Sequence, residues 1–168
     1  VLCFMANGAN RDISVDHVRI TVYYTPPALL VSGNAYAGDG AEDLTACDGS
    51  TKNIAVVVGT STPGKFTTNC ADSGNNFSVT LTGTTALSAD TPIIAYIDGV
   101  ANVYGTTATL YDGLGDQTGL TVRQNRLVLS SDTATAVTNT HLDKWDSNDD
   151  TDVNYDVTAG NLTVESGA

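Results

Sequence analysis

The chain has 168 residues, enough for one domain of ordinary size or two small ones. Charged residues make up only 15%, yet the net charge is −12 and the isoelectric point about 4.1. The basic residues Arg11, Arg19, Lys52, Lys65, Arg123, Arg126 and Lys144 form no run; this excludes the phosphate-neutralising clusters of a nucleic-acid binder, and no apolar run approaches the ~20 residues of a membrane-spanning helix.

Residues 1 to 5 (Val-Leu-Cys-Phe-Met) read as a short buried strand, and Asn7-Gly8-Ala9-Asn10 as a turn. Ile13 and Val15 start a second strand in one phase and Val18 resumes it in the other, which implies a β-bulge near Asp16-His17. From there the alternation is clear. Val18, Ile20, Val22 and Tyr24 fall on one face, with His17, Arg19, Thr21 and Tyr23 on the other. Pro26-Pro27 ends the strand, because proline has no N–H for a ladder. A two-stranded hairpin is marginal alone in water. Residues 1–27 are therefore a terminal strand pair, either the remnant of a β-sandwich or a donor strand for another chain.

A new unit begins after Pro27. Leu29 to Ala37 give a first strand, either continuous or broken at Gly33, and Asp39-Gly40 a turn. Cys47-Asp-Gly-Ser-Thr51 is a second turn, ahead of the fully apolar strand Asn53–Val58. Thr60 to Gly64, with Pro63, is a hairpin loop, and Lys65–Cys70 the return strand. Phe77, Val79 and Leu81 share one face of the next strand. Pro92–Ile97 and Val103–Tyr111 follow, each closed by Asp-Gly. Turn signals at roughly 8–12 residue spacing belong to an all-β sandwich. Leu120 to Leu129 read as one long strand, 131 to 140 as loop, and Thr138 to Trp145 as a short helical turn. A closing hairpin, 154–158 with 162–165, turns at Ala159-Gly160. The opening Val and the unpunctuated Gly167-Ala168 read as the ends of a processed or partial product.

The cysteines are Cys3, Cys47 and Cys70. Cys47 and Cys70 flank one predicted hairpin and can bridge, a disulfide that contributes roughly 3 kcal/mol by loop entropy; the alternative is two buried thiols. Cys3, in an apolar run, reads as core. Asp146-x-Asn148-x-Asp150-x-Asp152 offers oxygens at alternate positions, as at the start of a calcium loop, but lacks that loop's glycine at six and glutamate at twelve. A solvated acidic turn is the favoured reading, with calcium as the alternative. No catalytic residue is assigned. His17 and His141 have no companion nucleophile, and neither G-x-S-x-G nor H-E-x-x-H occurs. Tyr23, Tyr24, Tyr36, Tyr96, Tyr104, Tyr111 and Trp145 are spread over separate strands and not gathered in one stripe, as core and sheet-face residues are; a sugar-binding platform is the alternative.

Leu29 to Gly113 resembles the Ig-like repeats of large bacterial surface proteins, and in outline is similar to carboxypeptidase-regulatory-like and transthyretin-like Greek-key domains. The matching pieces are Cys47-Asp-Gly-Ser-Thr-Lys-Asn-Ile-Ala-Val-Val-Val58, Asn76-Phe-Ser-Val-Thr-Leu81, Pro92-Ile-Ile-Ala-Tyr-Ile-Asp-Gly99 and Thr109-Leu-Tyr-Asp-Gly113. Residues 14 to 25 look like the last strand of a jelly-roll module of the same proteins, and 120 to 168 like the connector after such repeats. The resemblance implies an extracellular, structural or adhesive role and brings no functional residues.

The expectation is an all-β protein: an Ig-like Greek-key β-sandwich over 28–115, flanked by the strand pair 1–27 and by 116–168 with its long strand, acidic loop and closing hairpin. The expected function is a structural subunit or segment of an extracellular filament or cell-surface appendage. It would self-associate into a homopolymer by β-strand complementation, through strand 13–25 (Val18, Ile20, Val22, Tyr24) or strand 120–129. No enzyme activity, nucleic acid, membrane insertion or cofactor other than calcium is expected. The alternative function is an adhesin-type module for a glycan or host surface.

Overall fold

The computed structural model describes residues 28–59, 64–82 and 87–165. The strands expected within 1–27, and Cys3 and His17 with them, lie outside these residues. The described chain is all-β, with strands β1 Leu29–Tyr36, β2 Ile54–Val58, β3 Phe66–Thr68, β4 Asn76–Leu81, β5 Pro92–Ile97, β6 Thr106–Leu110, β7 Gln117–Arg123, β8 Leu127–Leu129, β9 Tyr155–Thr158 and β10 Asn161–Val164. One short helix, α1, spans Asn139–Leu142. No helix here is long and apolar enough to cross a membrane.

The strands form a three-stranded sheet, β4-β1-β7, a five-stranded sheet, β3-β2-β5-β6-β8, and the hairpin β9-β10. They stack as three layers because the five-stranded sheet is apolar on both faces. Ile54, Val56 and Val58 of β2 and Ile93, Ala95 and Ile97 of β5 pack with Leu29, Val31, Phe77, Leu81, Leu120 and Val122 of the smaller sheet. The alternate residues Ala55, Val57, Ile94 and Tyr96 face a second core, built with Ala108 and with Leu142, Val153, Tyr155 and Val157 of the C-terminal segment. All residues of β2, β5 and β6 are buried. A strand covered on both sides loses the polar alternation that a half-buried strand keeps, which accounts for the unbroken apolar run at 54–58. By contrast β1 alternates strictly between buried and half-buried residues, since its outer face meets water.

One sequence expectation changes and one open alternative is decided. The single strand expected over 120–129 is two strands in different sheets. β7 runs parallel to β1 and β8 parallel to β6. Between them the chain crosses over at Asn125, whose φ of 57° is the left-handed conformation that asparagine tolerates, and the Arg126 N–H donates to the Arg123 carbonyl at 3.2 Å. The sheets therefore take strands from beyond residue 115, and the long-strand reading of 120–129 gives way to a turn that closes the sandwich. Of the two readings open at Gly33 the continuous one holds: the residue lies inside an unbroken β1 beside an irregularity in its pairing with β7. A Cβ there would sit 2.1 Å from the Leu120 carbonyl oxygen, so the missing side chain lets β7 approach.

The turn at Ala159-Gly160 joins β9 to β10 with both residues at positive φ (51° and 78°), which matches the right-handed strand twist. Cys47 and Cys70 form a disulfide within the first core. Beside it Asp48 accepts hydrogen bonds from the Ser50 and Thr51 N–H groups and from the Thr51 hydroxyl. The Thr51 bonds chiefly hold this exposed carboxyl well below the usual range. The Gly49 N–H donates to the Cys70 carbonyl at 2.9 Å, so the turn and the bridge fix one another. Replacing both cysteines by alanine is expected to lower stability by roughly 3 kcal/mol, read from the urea midpoint under non-reducing conditions; an unchanged midpoint would show that the bridge constrains nothing.

Candidate functional site

The densest set of interacting charges lies where the middle sheet meets the C-terminal layer. Asp98 follows directly on β5, and its N–H donates to the Asn53 carbonyl at 2.9 Å, so its position is set by the end of the sheet. Lys65 precedes β3, and its side chain reaches across the outer face of that sheet, 5.7 Å over the centre of the Tyr96 ring. Lys65 Nζ lies 2.5 Å from Asp98 Oδ1 and 2.8 Å from Asp150 Oδ2. The Tyr96 hydroxyl donates to the same Asp150 oxygen at 2.8 Å. The Asp152 N–H donates to Asp150 Oδ1, and Asp152 in turn accepts from the Gly99 N–H at 2.7 Å. The carboxylate side chains are mostly covered, 12% exposed for Asp98 and 16% for Asp150, and that of Lys65 is 31% exposed.

Environment separates the two carboxyls that share the lysine. Burial pushes Asp98 above its ordinary value, and Lys65 only partly offsets it. Burial pushes Asp150 the same way, but the hydrogen bonds from Lys65, the Asp152 N–H and Tyr96 together hold it below its ordinary value. Burial also acts to lower Lys65, and the two carboxylates outweigh it, so the ammonium form is favoured. The Tyr96 phenol is raised by burial and then by Asp150, and the Tyr155 phenol by burial and then by Asp146.

The four residues of the candidate calcium loop do not share one focus. Asp146 is only 3% exposed; its Oδ1 accepts from the Asn148 N–H at 2.9 Å and its Oδ2 from the buried Val157 N–H at 2.9 Å. It takes the place of a strand partner for β9. The Asn148 amide donates to Asp156 Oδ1 at 2.6 Å. Asp150 and Asp152 turn the other way and join Asp98, their carboxylate oxygens within 4.8 Å of one another. That separation would suit a divalent ion, but calcium asks for six to eight oxygens, and here the Lys65 ammonium already bonds two of the three carboxylates. His141, the described histidine, accepts the Thr138 N–H at its Nδ1 at the start of α1.

Sequence reasoning singled out Asp150 and Asp152 but missed Lys65, Tyr96 and Asp98. Asp98-Gly99 has the signature of a turn, and nothing local distinguishes an Asp-Gly turn that also carries a buried carboxylate. Elsewhere, a shallow groove on the outer face of the smaller sheet is lined by Ser32, Asn34, Asn76, Ser78 and Gly119 and holds no titratable side chain. A second, between α1 and the hairpin, holds the single carboxylate Asp143. No protein-family model matches the chain, nor does any curated protein or solved structure.

Asp146→Ala strands the buried Val157 N–H and is expected to cost about 1–3 kcal/mol in urea unfolding, equally with calcium and with chelator. A cost that appears only in calcium would make Asp146 a ligand rather than a strand partner.

Proposed function

We propose that the chain is a structural segment of an extracellular filament or cell-surface appendage, joined head-to-tail by β-strand complementation. The observation that carries this reading is the edge of β10. Among the described residues β10 pairs on one side only, with β9. Its sequence, Asn-Leu-Thr-Val, contains neither a charge nor a proline, and Val164 is 50% exposed beside a half-buried Leu162. Soluble proteins ordinarily blunt such an edge with lysine, proline or a bulge, because it templates pairing with another chain. An incoming strand would satisfy the free main-chain groups and cover Val164.

The donor in this reading is strand 13–25, with Val18, Ile20, Val22 and Tyr24 as its apolar set. Strand 120–129 is no longer a donor, since β7 and β8 are both paired within the chain. Charge favours the remaining choice. Arg11 and Arg19 balance Asp12 and Asp16, so residues 1–27 are neutral and the rest of the chain carries the whole −12. Two acidic bodies repel, and a neutral segment meets the acidic surface at the smallest electrostatic cost. The disulfide suits an oxidising, extracellular setting. The aromatic residues also support a structural over an adhesive role: Phe77, Tyr96, Tyr111 and Tyr155 are buried in two separate cores and form no exposed platform. A head-to-tail contact of this kind propagates into an open fibre.

Negative-stain microscopy and size-exclusion chromatography of the purified chain test this. Fibres are expected from the full chain, with none after deletion of residues 1–27 or in Val164→Lys. A full chain that remains a single 17.4 kDa species contradicts assembly and would return the adhesin alternative to first place.

A further inference from the structure

We propose that Asn76 carries an N-linked glycan whose first sugar lies in the polar groove on the outer face of the smaller sheet. Asn76-Phe77-Ser78 has the Asn-x-Ser/Thr spacing of an N-glycosylation acceptor, with no proline between. The fold gives that spacing a shape. Asn76 opens β4 directly after the turn at 72–74, where Gly74 and Asn75 take positive φ of 80° and 53°. The two-residue period of a strand then puts Asn76 and Ser78 on one face, both exposed, and Phe77 in the core. The acceptor amide and the hydroxyl that the pattern asks for stand side by side in solvent.

The surroundings fit a sugar. Across the ladder Asn34 lies opposite Asn76, and Ser32 opposite Ser78, so four uncharged hydrogen-bonding side chains stand together. The Asn34 amide donates to the Gly74 carbonyl at 2.8 Å, and the Thr68 hydroxyl donates to the Ser78 carbonyl. The Asn76 amide and the Ser78 hydroxyl have no hydrogen-bond partner among the described residues. On the far side of β1 the ladder shifts between Val31 and Gly33, and Gly119 leaves open space where a Cβ would stand. The resulting groove holds about 370 Å³, within the range of small-molecule sites. It has no titratable side chain in a chain of net charge −12, so it suits a neutral, hydroxyl-rich group over an ion. A bulky, solvated glycan would also cover a sheet face on which Ser32, Asn34, Asn76, Ser78 and Thr80 supply no repelling charge. Asn161-Leu162-Thr163 has the same spacing and exposure, but it lies on the strand edge that the assembly proposed above would cover.

The co-reactant is an oligosaccharide joined through a diphosphate to a lipid, with a membrane-bound transferase as catalyst. The Asn76 amide nitrogen forms a bond to C1 of the reducing-end sugar, and the bond from C1 to the phosphate oxygen breaks. The lipid diphosphate leaves with that electron pair, and one amide proton passes to a base of the transferase. Nothing is oxidised or reduced, and the side chain keeps one N–H and its carbonyl. Transfer of this kind takes place outside the cytoplasm, the setting that the disulfide also suits. A glycan on this face is independent of strand exchange at β10, so either can fail alone.

Intact mass spectrometry and glycopeptide mapping of the full chain, isolated from the cells that produce it, test this. The expected result is a mass above that of the sequence by a whole number of sugar residues, located on the peptide that holds Asn76. Ser78→Ala keeps the asparagine and is expected to lose the added mass, Ser78→Thr to retain it, and Asn161→Gln to leave it unchanged. In NMR spectra of the modified chain, nuclear Overhauser contacts are expected from the first sugar to Ser32 and Asn34. A chain without sugar overturns the proposal, as does sugar confined to Asn161 or to hydroxyl side chains, or sugar on Asn76 that persists in Ser78→Ala. A modified Asn76 whose first sugar makes no contact with Ser32 or Asn34 overturns its seating in the groove.

Discussion

Pro92–Ile97 has no side that faces water, and β2 beside it has none either. A strand can be apolar on both faces only if something covers each of them, and the rest of the chain is arranged to supply those covers. The smaller sheet covers one face. The segment from Val137 to Leu162, with α1 and the hairpin, covers the other. Losing this second cover would expose Val57, Ile94, Tyr96, Ala55 and Ala108, a penalty of roughly 5–10 kcal/mol at the usual value for a buried side chain. A domain of this size is stable by about 5–15 kcal/mol in all. The C-terminal layer is on this scale a part of the folding unit and not an appendage to it.

Polar contacts orient that layer more than they stabilise it. Tyr96 belongs to β5 and its hydroxyl bonds Asp150 of the layer. Lys65 from the entry to β3 bonds the same residue, and Gly99 after β5 bonds Asp152. These contacts come from three different parts of the sheet and converge on one loop, which sets where the layer sits and at what angle. Asp146, a few residues earlier, turns inward to hold β9. One acidic run thus divides its carboxylates between two tasks. Of those that face the sheet, Asp150 meets the lysine and Asp152 the Gly99 N–H, while Asp146 faces inward and meets the Val157 N–H, so each has a partner.

Much of the fold was legible in the sequence because it depends on local signals. The alternation of Phe77, Val79 and Leu81, the left-handed turn at Ala159-Gly160 and the short helix after Thr138 all follow from neighbours a few residues apart. What was not legible depends on separation. The apolar run at 54–58 reveals a buried strand but not that two different layers bury it. Asn125 resembles any other asparagine in a strand until its partners on either side are seen to lie in different sheets. Gly33 has the look of a strand breaker, and only the approach of Leu120, far along the chain, shows that it is there for close packing. The same holds for the charged site. Lys65 meets Asp98 across 33 positions and Asp150 across 85, and no spacing rule spans such distances. Alternate acidic positions converge only in a calcium-type turn; here the chain turns at Asp146 so that neighbouring carboxylates diverge.

Dependence of the middle sheet on its C-terminal cover is tested most directly by denaturant unfolding of a chain ended after Ser130, compared with the full chain by near-ultraviolet circular dichroism and by binding of a hydrophobic dye. The shortened chain retains both sheets and the disulfide but exposes the outer face of β2 and β5. It is predicted to lose its cooperative transition and its fixed aromatic signal and to bind the dye. A shortened chain that unfolds cooperatively at the same midpoint as the full one would contradict the three-layer dependence, and would make the segment after Ser130 dispensable.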